Sequence, residues 1–265
     1  MLEIKNVTKI FNKELSVDER RVALDNVSIT INDGDFITVI GGNGSGKSTL
    51  MNSISGAFPL DSGEIIVDGE NITNMPEYER AKFLGRVFQD PMMGTCGNMS
   101  ILENLELSFR RGKKRGLRWG FTKENVEKYV EMLKGLNLGL EDRLEQKVGL
   151  LSGGQRQAVT LLMSTLVTPK LLLLDEHTAA LDPKTAKIVL NLTNEIVTKE
   201  NITTLMITHN MNDAIKYGNR LIMLDHGHII LDISGEEKKK LTIKDLLQKF
   251  EESDVVADDS LLLNK

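Results

Sequence analysis

One stretch narrows the possible folds more than any other. Gly41-Gly42-Asn43-Gly44-Ser45-Gly46-Lys47-Ser48 fits the pattern G-x-x-x-x-G-K-[ST]. The short apolar run Phe36-Ile37-Thr38-Val39-Ile40 leads into it, and Thr49-Leu50-Met51-Asn52 reads as a helix after it. Glycines let backbone N–H groups converge on phosphate oxygens where a side chain would block approach. The following helix start adds favourable partial charge. In such a loop Gly41, Asn43, Gly44, Ser45, Gly46 and Thr49 line the phosphates. Lys47 reaches the β- and γ-phosphates, and the Ser48 hydroxyl ligates Mg²⁺. The loop alone establishes only nucleotide binding, since kinases, GTPases and recombinases share it.

A phosphate loop of this kind needs alternating strands and helices, and the rest of the chain supplies them. Leu2-Glu3-Ile4-Lys5 and Val27-Ser28-Ile29-Thr30-Ile31 alternate as strands, with a turn at Asn32-Asp33-Gly34-Asp35. Residues 64–67 form another strand, closed by Asp68-Gly69. Helical patterns dominate residues 101–168. Leu171-Leu172-Leu173-Leu174 is the uninterrupted apolar run of a strand covered on both faces. Helix 183–199, strand 203–208, helix 211–217 and strand 220–224 follow, giving an α/β architecture. The tail after Ser234 is charged, with a helical segment at 243–250 and a frayed end from Asp254.

A second motif decides the class. Leu151-Ser152-Gly153-Gly154-Gln155 opens another helix, and it is a second anion-binding helix start with two glycines for close approach. If the two phosphate-binding segments lie on different faces, one chain cannot wrap both around one nucleotide. Two chains arranged head to tail can. With this pentapeptide the sequence resembles the nucleotide-binding subunits of the ABC transporter superfamily, over about residues 1–233.

The resemblance implies a P-loop, RecA-like ATPase core with an N-terminal antiparallel β subdomain and an inserted α-helical subdomain. Residues 1–89 and 168–233 would form the ATP-binding core, 90–167 the helical subdomain, and 234–265 a C-terminal helical extension and tail. It also implies roles. Asp175, ending the leucine run, enters the Mg²⁺ shell, and Glu176 polarises the attacking water. His209, in Ile207-Thr208-His209-Asn210, resembles the switch histidine that contacts the γ-phosphate. Gln89, in Val87-Phe88-Gln89-Asp90, resembles the glutamine that senses Mg²⁺ and water. Ala180-Leu181-Asp182 resembles the loop that communicates between paired sites. Phe11 falls where the family stacks an aromatic on adenine, with Val22 supporting base or ribose. Ser152, Gly153, Gly154 and Gln155 of one copy would close over the γ-phosphate held by the other.

The departure is His177. The commoner family pattern is Asp-Glu-Pro-Thr, and here it is Asp175-Glu176-His177-Thr178. A titratable ring beside the proposed base either pairs with it or orients it, or is a tolerated variant with a mild role. The variant resembles a subfamily of bacterial importer ATPases, some of which accompany lipoprotein receptors proposed to bind aromatic amino acids.

Composition excludes other classes. With 33 basic and 38 acidic residues the formal charge is −5, which argues against nucleic-acid binding. Cys96 is the only cysteine in 265 residues, as suits a reducing compartment, and it has no metal-ligand spacing around it. No apolar run approaches the ~18–20 residues of a membrane span, so a transporting channel would belong to another chain. The family likeness then implies permease subunits, an extracytoplasmic receptor, and a peripheral place on the cytoplasmic face of the membrane. The basic run Arg110-Arg111-Gly112-Lys113-Lys114-Arg115 reads as a solvated loop, or as a contact to anionic headgroups. Met92, Met93 and Met99 suit either a partner surface or core filling. A soluble ATPase of iron–sulfur assembly and an exporter ATPase are the rival readings. Chromosome-structure ATPases are set aside because only 62 positions separate Gln89 from Leu151, with no sustained heptad.

Overall fold

A computed structural model describes residues 1–16, 19–113 and 120–252. Its pivot is β3 (Phe36–Ile40), in which every residue is buried. Strands β8 (Thr204–Ile207) and β9 (Arg220–Asp225) flank it in parallel. Beyond β8 lie β7 (Leu171–Asp175) and β6 (Leu84–Val87), also parallel. At the other edge β10 (His228–Ser234) runs antiparallel to β9. The order is β10-β9-β3-β8-β7-β6. A second, antiparallel sheet orders β2 (Arg21–Ile31), β1 (Leu2–Phe11), β4 (Ser62–Val67) and β5 (Glu70–Asn71).

Helix α1 (Lys47–Ser55) lies between the two sheets. Its Leu50, Met51 and Ile54 pack with Leu2, Ile4 and Ile65 of the antiparallel sheet and with Val39, Leu173 and Ile207 of the parallel one. The period of two in a strand then explains the four leucines of β7. Leu171 and Leu173 face α1, while Leu172 and Leu174 join Leu161, Leu190 and Val197 on the opposite face. That opposite cover comes from α5 (Gly153–Thr165) and α6 (Pro183–Lys199). Helices α3 (Ile101–Phe109), α4 (Lys123–Gly135) and α5 share a further apolar core around Tyr129, Leu133 and Leu162. α7 (Met211–Lys216) is backed by α9 (Ile243–Glu252) through Leu246 and Phe250, with α8 (Gly235–Lys240) between them in the chain.

The short α2 (Glu77–Arg80) delivers a fully buried arginine to the far end of α1. Arg80 donates to Ser53 O (2.7 Å), Ile54 O (2.9 Å), Met75 O (2.7 Å) and Thr73 O (2.7 Å). It thus ties the last turn of α1, through Ser53 O and Ile54 O, to the segment that precedes α2, through Thr73 O and Met75 O.

The fold is α/β, as expected, with three differences in detail. Strands β1 and β2 run well beyond the alternating stretches because each carries an irregularity. Asn6 and Asn26 both take left-handed backbone (φ 50° each), and the pairing register shifts between Ile4 and Val7. The Asn6 amide donates to Asn26 Oδ1 (2.9 Å), so the two kinks sit together and break the visible period. β10 went unread because it is an edge strand with no fully buried position. The basic run is not simply solvated: Arg111 donates to Ser164 O (3.0 Å) and to Val167 O, holding the end of α5. Its continuation from Lys114 to Arg118, and the frayed end expected from Asp254, lie outside the described residues.

Candidate functional site

Parallel strands of one sheet end on one side, so the loops after β3, β6, β7 and β8 converge. The loop after β3 is residues 41–46. Gly46, the residue before α1, has φ 107°, and no side chain caps the helix start. A Cβ on Gly46 would lie 2.5 Å from Ala23 O, so only glycine lets the loop seat against β2. The uncapped N–H groups and the helix dipole make this end an anion site. Lys47 is buried, and its Nζ donates to Gly41 O (2.8 Å) and Gly42 O (2.9 Å). The Ser45 hydroxyl is buried without a hydrogen-bond partner, an unmet polar group within the loop. Asn43, Gly44 and Ser48 are exposed and Thr49 half-buried.

Two acids follow β7. Asp175 is mostly buried; burial pushes its carboxyl above the usual range, the Arg86 guanidinium opposes this, and the neighbouring Glu176 adds to the rise. The charges of Lys47 and His209 also reach it. Glu176 takes left-handed backbone (φ 46°), a conformation that costs a non-glycine residue about 1 kcal/mol or more and collects at functional sites. This aims its carboxylate at the loop after β8, where His209 Nε2 lies 2.5 Å from Glu176 Oε1. Asn210 caps α7 immediately after, accepting from Asp213 N (3.2 Å). Thus Lys47, Asp175, Glu176 and His209 gather at one end of the parallel sheet. Gln89, after β6, joins it through a cleft of about 690 Å³ also lined by Asn52, Arg86 and Asp175.

His177 does not join this group. It is 2 % exposed, and its Nε2 lies 3.0 Å from Thr193 Oγ1 on α6. Thr193 donates its single hydroxyl proton to Val189 O (2.8 Å), so Nε2 must carry the proton and donate to Thr193. Burial pushes the imidazole down to about 4. The ring is neutral and bonded to α6, and it neither pairs with Glu176 nor orients it.

Phe11 meets the Phe58 ring edge-on at 5.4 Å, with Lys9 Nζ 5.2 Å from its centroid. It pairs across the ladder with Arg21, next to the exposed Val22. Ser152 and Gln155 form a reciprocal cap on α5: Gln155 N donates to Ser152 Oγ (3.3 Å) and Ser152 N to Gln155 Oε1 (3.2 Å). Gly153 and Gly154 pack close to Leu181 and Thr185 at the start of α6, where Asp182 accepts from Thr185 N (3.1 Å). Cys96 is a free, exposed thiol, and Met93 is strongly exposed.

Two residues near the site were not singled out from the sequence. Arg21 brings Nη2 within 2.7 Å of where a Gly44 Cβ would stand. Arg86 sits in the run Gly85-Arg86-Val87-Phe88-Gln89. The signal available was a charge inside an otherwise apolar strand.

A phosphate loop opening on a helix held between a parallel and an antiparallel sheet, with Asp175 and Glu176 beside it, defines a P-loop ATPase of the cassette type. The chain belongs to the ABC transporter family, whose model matches residues 24–179. It binds and hydrolyses ATP. It is 49% identical over 251 residues to the tyrosine transport ATP-binding protein of Clostridioides difficile, covering 95% of this chain and 99% of that one. It is 35% identical over 233 residues to the methionine import ATP-binding protein MetN 1 of Staphylococcus epidermidis, covering 87% of this chain and 64% of that longer one. Among solved structures it is similar to the ATP-binding cassette MJ0796, a dimer in a post-hydrolysis state with ADP and phosphate. The TM-score is 0.74 and the identity 31%, over 88% of this chain and 98% of that one. Among the described residues no helix is long and apolar enough to cross a membrane.

Proposed function

We propose that this chain powers the uptake of an amino acid of the aromatic class through a separate membrane permease. It would work as a head-to-tail pair on the cytoplasmic face of the membrane, with an extracytoplasmic receptor supplying the cargo. The observation that carries the ATPase half is the Glu176–His209 contact of 2.5 Å beside the phosphate loop. The cargo is carried by the likeness to the tyrosine transport protein along nearly all of both chains. That protein and the methionine import relative favour this reading over an exporter or a soluble assembly ATPase.

In this reading Phe11 and Val22 receive the base, and residues 41–49 the phosphates. Ser152, Gly153, Gly154 and Gln155 of the second copy close the site, which fits the exposure of Ser152 and Gly153 at the start of α5 and the dimeric state of the similar cassette. Residues 1–89 and 168–233 act as the core, 90–167 as the helical subdomain that swings, and 234–265 as an extension behind α7. The separate apolar core shared by α3, α4 and α5 supports that division. The oxygens of Ser48, Gln89 and Asp175 suit Mg²⁺, a hard ion that arrives with phosphate and one carboxylate. Bound there, the ion would neutralise charge on the phosphates. Glu176 orients and deprotonates the attacking water, His209 holds Glu176 and reaches the γ-phosphate, and Lys47 stabilises the charge that develops.

The test is uptake of labelled tyrosine by cells carrying the chain with its permease and receptor, against cells carrying Lys47→Ala. Accumulation in the first alone is expected. Equal uptake in both would overturn the importer reading, and ATP-dependent uptake of methionine but not tyrosine would overturn the cargo.

A further inference from the structure

We infer that Arg86 is a positioning residue for ATP hydrolysis: it ties the helix behind the phosphate loop to the strand that ends at Gln89, and sets a fixed positive charge beside Asp175 that weakens divalent-metal binding there. The inference rests on the reading of Asp175 as a metal ligand.

The Arg86 side chain is only 14% exposed. Both ends of its fork are committed to α1: Nη2 donates to Asn52 Oδ1 (2.7 Å) and Nη1 to Ser55 Oγ (3.0 Å). The Phe88 ring packs against the guanidinium at 4.4 Å. Its Nε is buried without a partner. Asp175 Oδ2 is 3.8 Å from Nη2, beyond hydrogen-bond reach but well within strong Coulomb attraction. Glu77, the other acid nearby, lies 3.9 Å away and is largely exposed.

An ion pair built for stability alone would turn the fork onto the carboxylate, because bidentate pairing is the strong arrangement. Here the fork grips α1, and the charge stands off from Asp175. The guanidinium is therefore held by Asn52, Ser55 and Phe88, and need not move when the carboxylate turns to a cation. Two consequences follow. The end of β6, and with it Gln89, keeps a fixed relation to the helix that carries Lys47 and Ser48. A divalent ion at Asp175 meets a permanent like charge, so the ion is held less tightly than the carboxylate alone would hold it.

The experiment uses the full chain in a Glu176→Gln background with ATP, titrated with Mn²⁺ and followed by the resonance signal of free Mn²⁺. Arg86→Met removes the charge and keeps an apolar stem; Arg86→Lys keeps the charge and loses the fork. A unit charge near a divalent ion in a partly hydrated cleft is worth roughly three- to tenfold in affinity. Arg86→Met should bind Mn²⁺ tighter by that factor, while Arg86→Lys stays within about twofold of the parent. A purely structural role would lower thermal stability in both and would not tighten the metal in either. Unchanged or weaker Mn²⁺ binding in Arg86→Met overturns the inference. Should that variant not fold, Arg86→Gln must bind Mn²⁺ tighter than Arg86→Lys, and the reverse order overturns it equally. Asp175→Asn separates the two levels. If it leaves Mn²⁺ affinity untouched, Asp175 is not a ligand and the underlying reading fails. If it weakens Mn²⁺ while Arg86→Met does not tighten it, the Arg86 inference alone fails.

Discussion

Replacing His177 by Gln tests what the ring does, because Gln can still donate to Thr193 but cannot titrate. The imidazole is pushed down to about 4 by burial, against an ordinary value of 6.5. The folded protein therefore favours the neutral ring, and the unfolded chain takes up a proton first as pH falls. The stability held by this group is fully present above about pH 6.5 and is lost as pH falls through about 4. At ~1.4 kcal/mol per pK unit, the separation corresponds to a loss of about 3 kcal/mol once both states are protonated, and about 2 kcal/mol by pH 5. Urea midpoints of the wild type and His177→Gln, measured at pH 8, 7, 6 and 5 without nucleotide, should diverge below pH 6.5, with the wild type falling faster. The ring is already neutral from pH 6 to 8, so the ATPase profile of the full complex should keep its shape in that range for both His177→Gln and His177→Pro. Parallel stability curves would refute the buried neutral histidine. Loss of a limb of the rate profile would show that the ring takes part in the chemistry.

Glu176→Gln should keep ATP binding while turnover drops by ~10²–10⁴-fold, the usual share of a general base; size-exclusion chromatography with ATP should show a trapped dimer, and near-normal turnover would remove Glu176 from the role. Ser152→Arg puts a long cation at the exposed start of α5, and should abolish ATPase activity in the reconstituted complex while nucleotide binding at Lys47 survives; unchanged activity would sink the shared-site arrangement. Arg80→Ala strips the donor from four carbonyls around the end of α1. It should destabilise the chain by about 3 kcal/mol or more in denaturant titration, at ~1 kcal/mol per hydrogen bond lost, and a change under 1 kcal/mol would show that water replaces the guanidinium.

Much of the site was legible because its chemistry demands residue types in a fixed local order. Residues 41–48 had to be glycine-rich to form the loop, and four consecutive leucines had to be a strand buried on both faces, which β7 is. The helix at Pro183–Lys199 was bounded by its own capping residue, Asp182, and by Pro183 in its first turn. What stayed hidden depends on contacts distant in sequence. The partner of His177 lies on α6, and only the threonine's other bond fixes the tautomer. The Glu176–His209 contact joins the ends of two strands. Arg86 shows only as a charge inside a short apolar strand until β6 is laid beside α1. The paired kinks at Asn6 and Asn26 likewise hide a long strand pair behind two short alternating fragments.

The left-handed backbone at Glu176 sets a limit on how this chain can be made hardier. Glycine, or to a lesser degree asparagine, relieves that conformation at no steric cost. A library selected only for survival at high temperature should therefore drift toward glycine or asparagine at position 176. Its winners would melt later and, with Glu176 as the base, turn over ~10²–10⁴-fold more slowly. Heat resistance and turnover are opposed at this one residue, so a useful screen must select for both at once.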